Sequence, residues 1–197
     1  MILKDKNILL AVTGSIAIYK SLELIRLFIK AGANVKVILS DGAKKFINPI
    51  TFEAISQNRV LDESSESWDK SQNYNHIDIT KWADILLIAP ATANTINKIS
   101  CGIADNLLLQ TVLACKKKII IAPAANTNMI ENPITIKSIN NLKNLGFEVL
   151  QTQTKELACK DVGNGAMLEP IDIFHKTCKE LLKTSYWENR RVVLSGG

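Results

Sequence analysis

Four apolar, largely β-branched runs set the rhythm of the chain, and each ends in a short stretch of small, hydroxyl or amide residues. Residues 8–12 lead into Thr13-Gly14-Ser15, residues 35–39 into Ser40-Asp41, and residues 85–89 into Pro90-Ala91-Thr92-Ala93-Asn94-Thr95. Residues 119–122 lead into Pro123-Ala124-Ala125-Asn126. Continuous apolar runs of this length read as strands buried on both faces. Between them lie segments of helical period: an amphipathic one to about Ala31, stopped by Gly32, and a stretch from Lys44 to Phe46 that Pro49 interrupts before Thr51 to Ser56 resume it. Others begin at Ile96, run from Leu107 to Ala114, follow Pro133 as far as Leu145-Gly146, and run from Ile171 to Lys183. Strand and helix in alternation predict an α/β protein with a Rossmann-like open parallel sheet and helices on both faces, a flavodoxin-like three-layer sandwich. Ligands of such sheets sit outside the carboxyl ends of the strands, where the polar stretches fall.

Three segments lack this regularity. Residues 62–75 are polar and predict a loop that delivers Asn75-His76-Ile77-Asp78-Ile79 just ahead of a strand, and Cys101-Gly102-Ile103-Ala104-Asp105-Asn106 breaks a helical region. After a strand at Phe147 to Leu150, residues 155–170 carry Cys159, Gly163 and Gly165 without periodicity. A loop of about 15 residues in a compact domain is usually a lid or a binding segment.

Composition narrows the function classes. The length of 197 residues suits one filled domain, and 47% hydrophobic with 22% charged residues is an ordinary globular balance. No apolar run approaches the ~18 residues of a membrane span, and Met1 to Lys6 lead straight into the first strand. The expectation is a cytoplasmic protein without signal peptide or membrane contact. The net charge of +5 comes from scattered lysines without interleaved aromatics, which argues against a nucleic-acid partner. Cys101, Cys115, Cys159 and Cys178 form no C-x-x-C pair, so neither metal nor disulfide framework is expected. Cys115 and Cys178 fall in apolar helical patterns and read as core.

A hydroxyl-bearing turn at a helix N-terminus gathers unpaired N–H groups and the positive end of the dipole, so Gly14-Ser15-Ile16 is a candidate phosphate site. It is neither a Walker loop nor a three-glycine dinucleotide fingerprint. Ser40 can cap the next helix or donate to a phosphate, and Asp41 keeps a ribose contact open. His76 closes a polar loop and is a candidate acid/base group, whereas His175 sits in a helical run and has no assigned role.

Taken in order, Gly14-Ser15-Ile16-Ala17 with Tyr19-Lys20, His76, Pro90-Ala91-Thr92-Ala93-Asn94-Thr95, Pro123 with Asn126 and Met129, and Ala158-Cys159 with Gly163, Gly165 and Met167 resemble the homo-oligomeric flavin-containing cysteine decarboxylases. The resemblance spans nearly the whole chain. It implies FMN as cofactor, held by Gly14, Ser15, Ile16, Ser40, Pro90, Thr92, Asn94, Thr95, Cys101, Ala104 and Asp105. It implies a substrate site of Asn126, Met129, Ala158, Gly165 and Met167, and decarboxylation of 4′-phosphopantothenoylcysteine to 4′-phosphopantetheine in coenzyme A biosynthesis. Decarboxylating a cysteine directly leaves a carbanion without an electron sink, and oxidation of the thiol-bearing carbon to a thioaldehyde provides one. In that scheme His76 is the acid/base group, Asn126 binds the carboxylate, and Cys159 gives the proton of the final reduction. Trimer-based assembly, a dodecamer in the full-length protein, is implied as well.

The chain departs from the family pattern at Ala125, where Met is usual, at Ile130, where an aromatic is usual, and at Ala166, where Arg is usual. Peptidyl-cysteine decarboxylases, non-catalytic flavin-binding regulators and flavin prenyltransferases are the rival readings. An NAD-dependent dehydrogenase would need the missing glycines. Residues 190–197 resemble the first strand of the phosphopantothenate–cysteine ligase that follows the decarboxylase in many bacteria. The expected organisation is a decarboxylase domain over 1–189 and the start of a ligase domain over 190–197.

Overall fold

The computed structural model describes residues 1–66, 75–156 and 162–183. Five strands, β1 (Asn7–Val12), β2 (Asn34–Leu39), β3 (Ile85–Ala91), β4 (Lys118–Pro123) and β5 (Glu148–Val149), form one parallel sheet in the order β2-β1-β3-β4-β5. This is the flavodoxin-like order. The predicted architecture is therefore the observed one.

Both faces of the sheet are dry, as the unbroken apolar runs require. On one face Ile8, Leu10, Val37 and Leu87 pack against α1 (Tyr19–Lys30), α3 (Pro49–Ser56) and α9 (Pro170–Leu182), through Leu24, Phe28, Phe52 and Ile173. On the other, Leu9, Leu86, Ile88 and Ile121 pack against α4 (His76–Trp82), α5 (Ala93–Ser100), α6 (Leu107–Ala114) and α8 (Pro133–Asn144), through Ile79, Ile96, Leu108 and Leu142. Cys178 joins the first core, while Cys115 ends α6 half-buried, where desolvation pushes its thiol above the ordinary range.

Several boundaries differ from the sequence expectation, each for a local reason. The helical stretch expected at Lys44 is a single turn, α2 (Asp41–Lys44), capped by Ser40. Pro49 does not interrupt a helix; it occupies the first turn of α3 behind the Asn48 cap, where its missing N–H costs nothing. Likewise α5 starts at Ala93 rather than Ile96, because Thr92 accepts from Thr95 N–H and caps the earlier turn. Asn75-His76-Ile77-Asp78-Ile79 does not lead directly from loop to strand: Asn75 Oδ1 accepts from the N–H groups of Ile77 and Asp78 at 3.0 and 2.9 Å and starts α4 ahead of β3.

The largest correction concerns residues 155–170. They are not one irregular loop: β6 (Gln153–Glu156) and β7 (Val162–Ala166) pair as an antiparallel hairpin outside the main sheet. The glycines that disguised β7 are demanded by its close passage over the β4 loop. A Cβ on Gly165 would collide with the Ala125 carbonyl oxygen, and one on Gly163 would collide with Thr127 Oγ1. Residues 190–197 lie outside the described residues, and with them the expected start of a second domain.

Candidate functional site

At the carboxyl ends of the strands, β1 and β3 are neighbours but send their helices to opposite faces: α1 packs in the first core and α5 in the second. Such a switch point opens a crevice between the two connecting turns. A buried hydroxyl holds its edges in place. Thr13 Oγ1 donates to the Pro90 carbonyl at 2.7 Å and accepts from Thr92 N–H at 3.0 Å, and Ser21 Oγ donates to the Ala89 carbonyl at 2.8 Å. The Ala89–Pro90 peptide is cis.

The turns bordering this crevice are neutral and rich in donors. Ser15 starts a short 3-10 turn over residues 16–18 and accepts from Ala17 N–H, and Ser40 caps α2. Gly14 and Gly42 meet backbone to backbone, so a Cβ on Gly14 would lie 2.7 Å from the Gly42 carbonyl. Asp41 does not take up a site role in this arrangement; its carboxylate pairs with Lys44 at 2.8 Å. Pro90, Thr92 and Thr95 stand at the β3 side, with Thr92 and Thr95 joined through their hydroxyls, while Asn94 faces outward on α5.

Beside the crevice lies a cleft of about 740 Å³, within the range of small-molecule sites. It is walled by Ser15, Ile16 and Lys20 on one side, by Ala125 and Asn126 below, and by Gly165 and Met167 from the hairpin. The side chain of Asn126 is oriented by its own backbone. Its Oδ1 accepts from Asn128 N–H at 2.9 Å and caps α7 (Thr127–Ile130), so its amide nitrogen is the end that donates. Met129 is exposed on that turn. The hairpin closes over this floor through Ala125 N–H, which donates to the Gly165 carbonyl at 3.1 Å.

One ionic group secures the hairpin. Lys20, only 9% exposed, donates to the Met167 carbonyl at 3.0 Å and to Glu169 at 3.1 Å, and Lys155 of β6 binds the same Glu169 oxygen. The Lys155 ammonium, helped by Lys20 and opposed by desolvation, holds the Glu169 carboxyl below its ordinary range. That contribution is complete above the ordinary carboxylate range and is lost as pH falls through the depressed value.

His76 belongs to a second group on the other face. It opens α4, and its Nδ1 lies 2.8 Å from Glu66 Oε1; because a carboxylate only accepts, Nδ1 carries the proton in that contact. Glu63, from the same segment, accepts from Leu107 N–H at the start of α6, next to Asp105, which pairs with Lys98. Cys101 caps the far end of α5, about 13 Å of helix from Thr92. Of the predicted residues, Ser15, Ile16, Asn126, Gly165 and Met167 thus line the cleft, whereas Gly14, Ser40, Pro90, Thr92, Asn94, Thr95, Cys101 and Met129 do not, nor does the group of His76, Ala104 and Asp105. The cleft and that last group face the same end of the sheet, since α4 and α6 each begin there before running back to the next strand. Ala158 and Cys159 lie outside the described residues.

Sequence reasoning missed Thr13, Ser21, Glu66, Lys155 and Glu169. Their partners lie 10 to 149 residues away along the chain, and no local pattern announces them. Gly165→Ala tests the hairpin seat. Overpacking of about 1–3 kcal/mol should speed amide exchange at residues 153–155 and 163–166 while β1, β3 and β4 exchange as before. Unchanged exchange in the hairpin would show that the contact can relax.

The flavoprotein family profile matches residues 2–182. The chain is 42% identical over 178 residues to a Streptococcus mutans protein named probable phosphopantothenoylcysteine decarboxylase, covering 89% of this chain and 99% of that one. It is 38% identical over 197 residues to the Coenzyme A biosynthesis bifunctional protein CoaBC of Bacillus subtilis, covering 99% of this chain and 48% of the relative. The chain therefore spans about half the length of the bifunctional relatives it matches. Among solved structures it is similar to a cysteine-to-serine mutant of PPC decarboxylase complexed with pantothenoylaminoethenethiol, with a TM-score of 0.79, 31% identity and coverage of 94% and 100%. The FMN binding protein AtHal3 is similar with a TM-score of 0.79, 33% identity and coverage of 96% and 100%.

Proposed function

Because the chain belongs to the flavoprotein family, we propose that it is an FMN-dependent carboxy-lyase that converts 4′-phosphopantothenoylcysteine to 4′-phosphopantetheine in coenzyme A biosynthesis. The observation that carries this reading is Asn126, a neutral donor held by its own helix cap on the floor of a cleft beside the switch-point crevice. A relative named for the same reaction and another named for coenzyme A biosynthesis support it.

The residues present fit FMN. The Gly14–Gly42 backbone contact and the neutral turns at Ser15 and Ser40 suit a single phosphate, and Thr92 and Thr95 offer hydroxyls on the other side of the crevice. When bound, the flavin supplies the two-electron oxidation that gives decarboxylation its electron sink and returns the electrons afterwards. The chain's own residues bind and move protons. Asn126 Nδ2 donates to the substrate carboxylate without adding a charge that would hold it back. His76, its ring oriented by Glu66, acts as acid/base at the substrate, and Cys159 donates the proton of the final reduction.

In this reading His76 and Asn126 act on one substrate although they belong to separate groups in the chain. A homo-oligomer built on trimers, with the site between copies, brings them together. The full-length protein then continues into a ligase domain, as the length of the Bacillus subtilis relative suggests.

Two measurements test the reading. Heat release of the cofactor followed by chromatography should recover FMN, and recovery of FAD would contradict the single-phosphate fit. The FMN-loaded protein should evolve CO2 from 4′-phosphopantothenoylcysteine and yield 4′-phosphopantetheine by mass spectrometry. Turnover of a peptide ending in cysteine, with none of the phosphorylated substrate, would assign it to the peptidyl branch instead.

A further inference from the structure

Among the described residues only two cations line the cleft, and they are not alike. Lys20 is buried and committed to the Met167 carbonyl and to Glu169. Lys155 keeps 49% of its side chain exposed and has Glu169 as its hydrogen-bonded partner. Its place in β6 is opposite Gly163. Glu169 is shared between two ammonium groups, which leaves the trio with one net positive charge; Glu23, exposed on the rim, is the opposing charge.

A substrate with a carboxylate at its reacting end and a phosphate at the other needs different treatment at each. A cation at the reacting carboxylate would stabilise the charge that must disappear as CO2 leaves, whereas binding at the remote end can be used without slowing chemistry. The neutral donor of Asn126 and the cation of Lys155 match this division along one cleft. We propose that Lys155 determines specificity by receiving the phosphate end of the substrate, aimed over the cleft by Glu169, which Lys20 anchors from within the wall. This rests on the decarboxylase reading above.

The experiment compares 4′-phosphopantothenoylcysteine with its dephosphorylated form in the FMN-loaded protein, as wild type, Lys155→Met and Lys155→Arg. Loss of one charge-assisted contact at a half-exposed site should raise KM for the phosphorylated substrate on the order of tenfold, with the effect falling mainly on KM. The dephosphorylated substrate should show no such rise, and Lys155→Arg should keep the wild-type preference. Added salt should raise the wild-type KM for the phosphorylated substrate more than that of Lys155→Met. Equal changes for the two substrates would overturn the proposal and reduce Lys155 to a tie for the hairpin, and so would no change for either. Wild-type protein that turns over neither substrate would sink the parent reading, and this assignment with it.

Discussion

Asn126→Asp should lower turnover of 4′-phosphopantothenoylcysteine on the order of 10³-fold, equivalent to about 4 kcal/mol, while FMN stays bound. The substitution isolates one atom. Oδ1 is the atom that accepts from Asn128 N–H and caps α7, and an aspartate oxygen can do the same, so the turn and the cleft floor should persist. What changes is the donor: Nδ2 becomes a carboxylate oxygen facing the substrate carboxylate, and two anions replace a hydrogen bond. Stopped-flow flavin absorbance and CO2 release would measure the loss. Near-normal turnover would move the carboxylate site elsewhere in the cleft.

His76→Asn should slow the first half-reaction by roughly 10²–10⁴-fold, the usual range for a missing acid/base group, so that CO2 release and flavin reduction fall together. An asparagine amide can still donate to Glu66, which preserves the contact that orients the side chain. The separation of His76 from the cleft gives this variant a second use. If one copy supplies His76 and the next supplies Asn126, co-expression of His76→Asn with Asn126→Asp should restore about a quarter of the wild-type activity under random mixing of a symmetric assembly. Mixed preparations no more active than either parent would place both residues in the same copy's site, and the group on α4 would need another explanation.

How far the sequence reached depended on the range of the forces involved. The parallel sheet was legible because the inner stretches of its strands are dominated by apolar, β-branched residues, which is the direct consequence of helices on both faces. Asn126 and the Ser15 turn were legible for a related reason: they sit where a buried run gives way to polar residues, and in this topology that boundary is the ligand end. Local capping marked the limit of pattern reading. Asn75 started a helix where a loop was expected to run on to a strand, and Pro49 proved to start α3 rather than break it.

Chain order and residue type determined that polar, donor-bearing turns follow the strands at their carboxyl ends, and which groups there are candidates for chemistry; the sheet order then set the switch point between β1 and β3. Tertiary structure alone decided which of those groups share a cleft. It separated His76 from Asn126, because α4 packs on the opposite face of the sheet from α1 and α9. It also made a hairpin of the segment that read as a loop: Gly163 and Gly165 look like breakers in one dimension, but they are the clearance that Ala125 and Thr127 require. The Lys20–Glu169–Lys155 group could not be read at all, since Lys20 and Glu169 lie 149 positions apart. An ion pair has no sequence period; it exists only where folding brings its members within hydrogen-bonding distance.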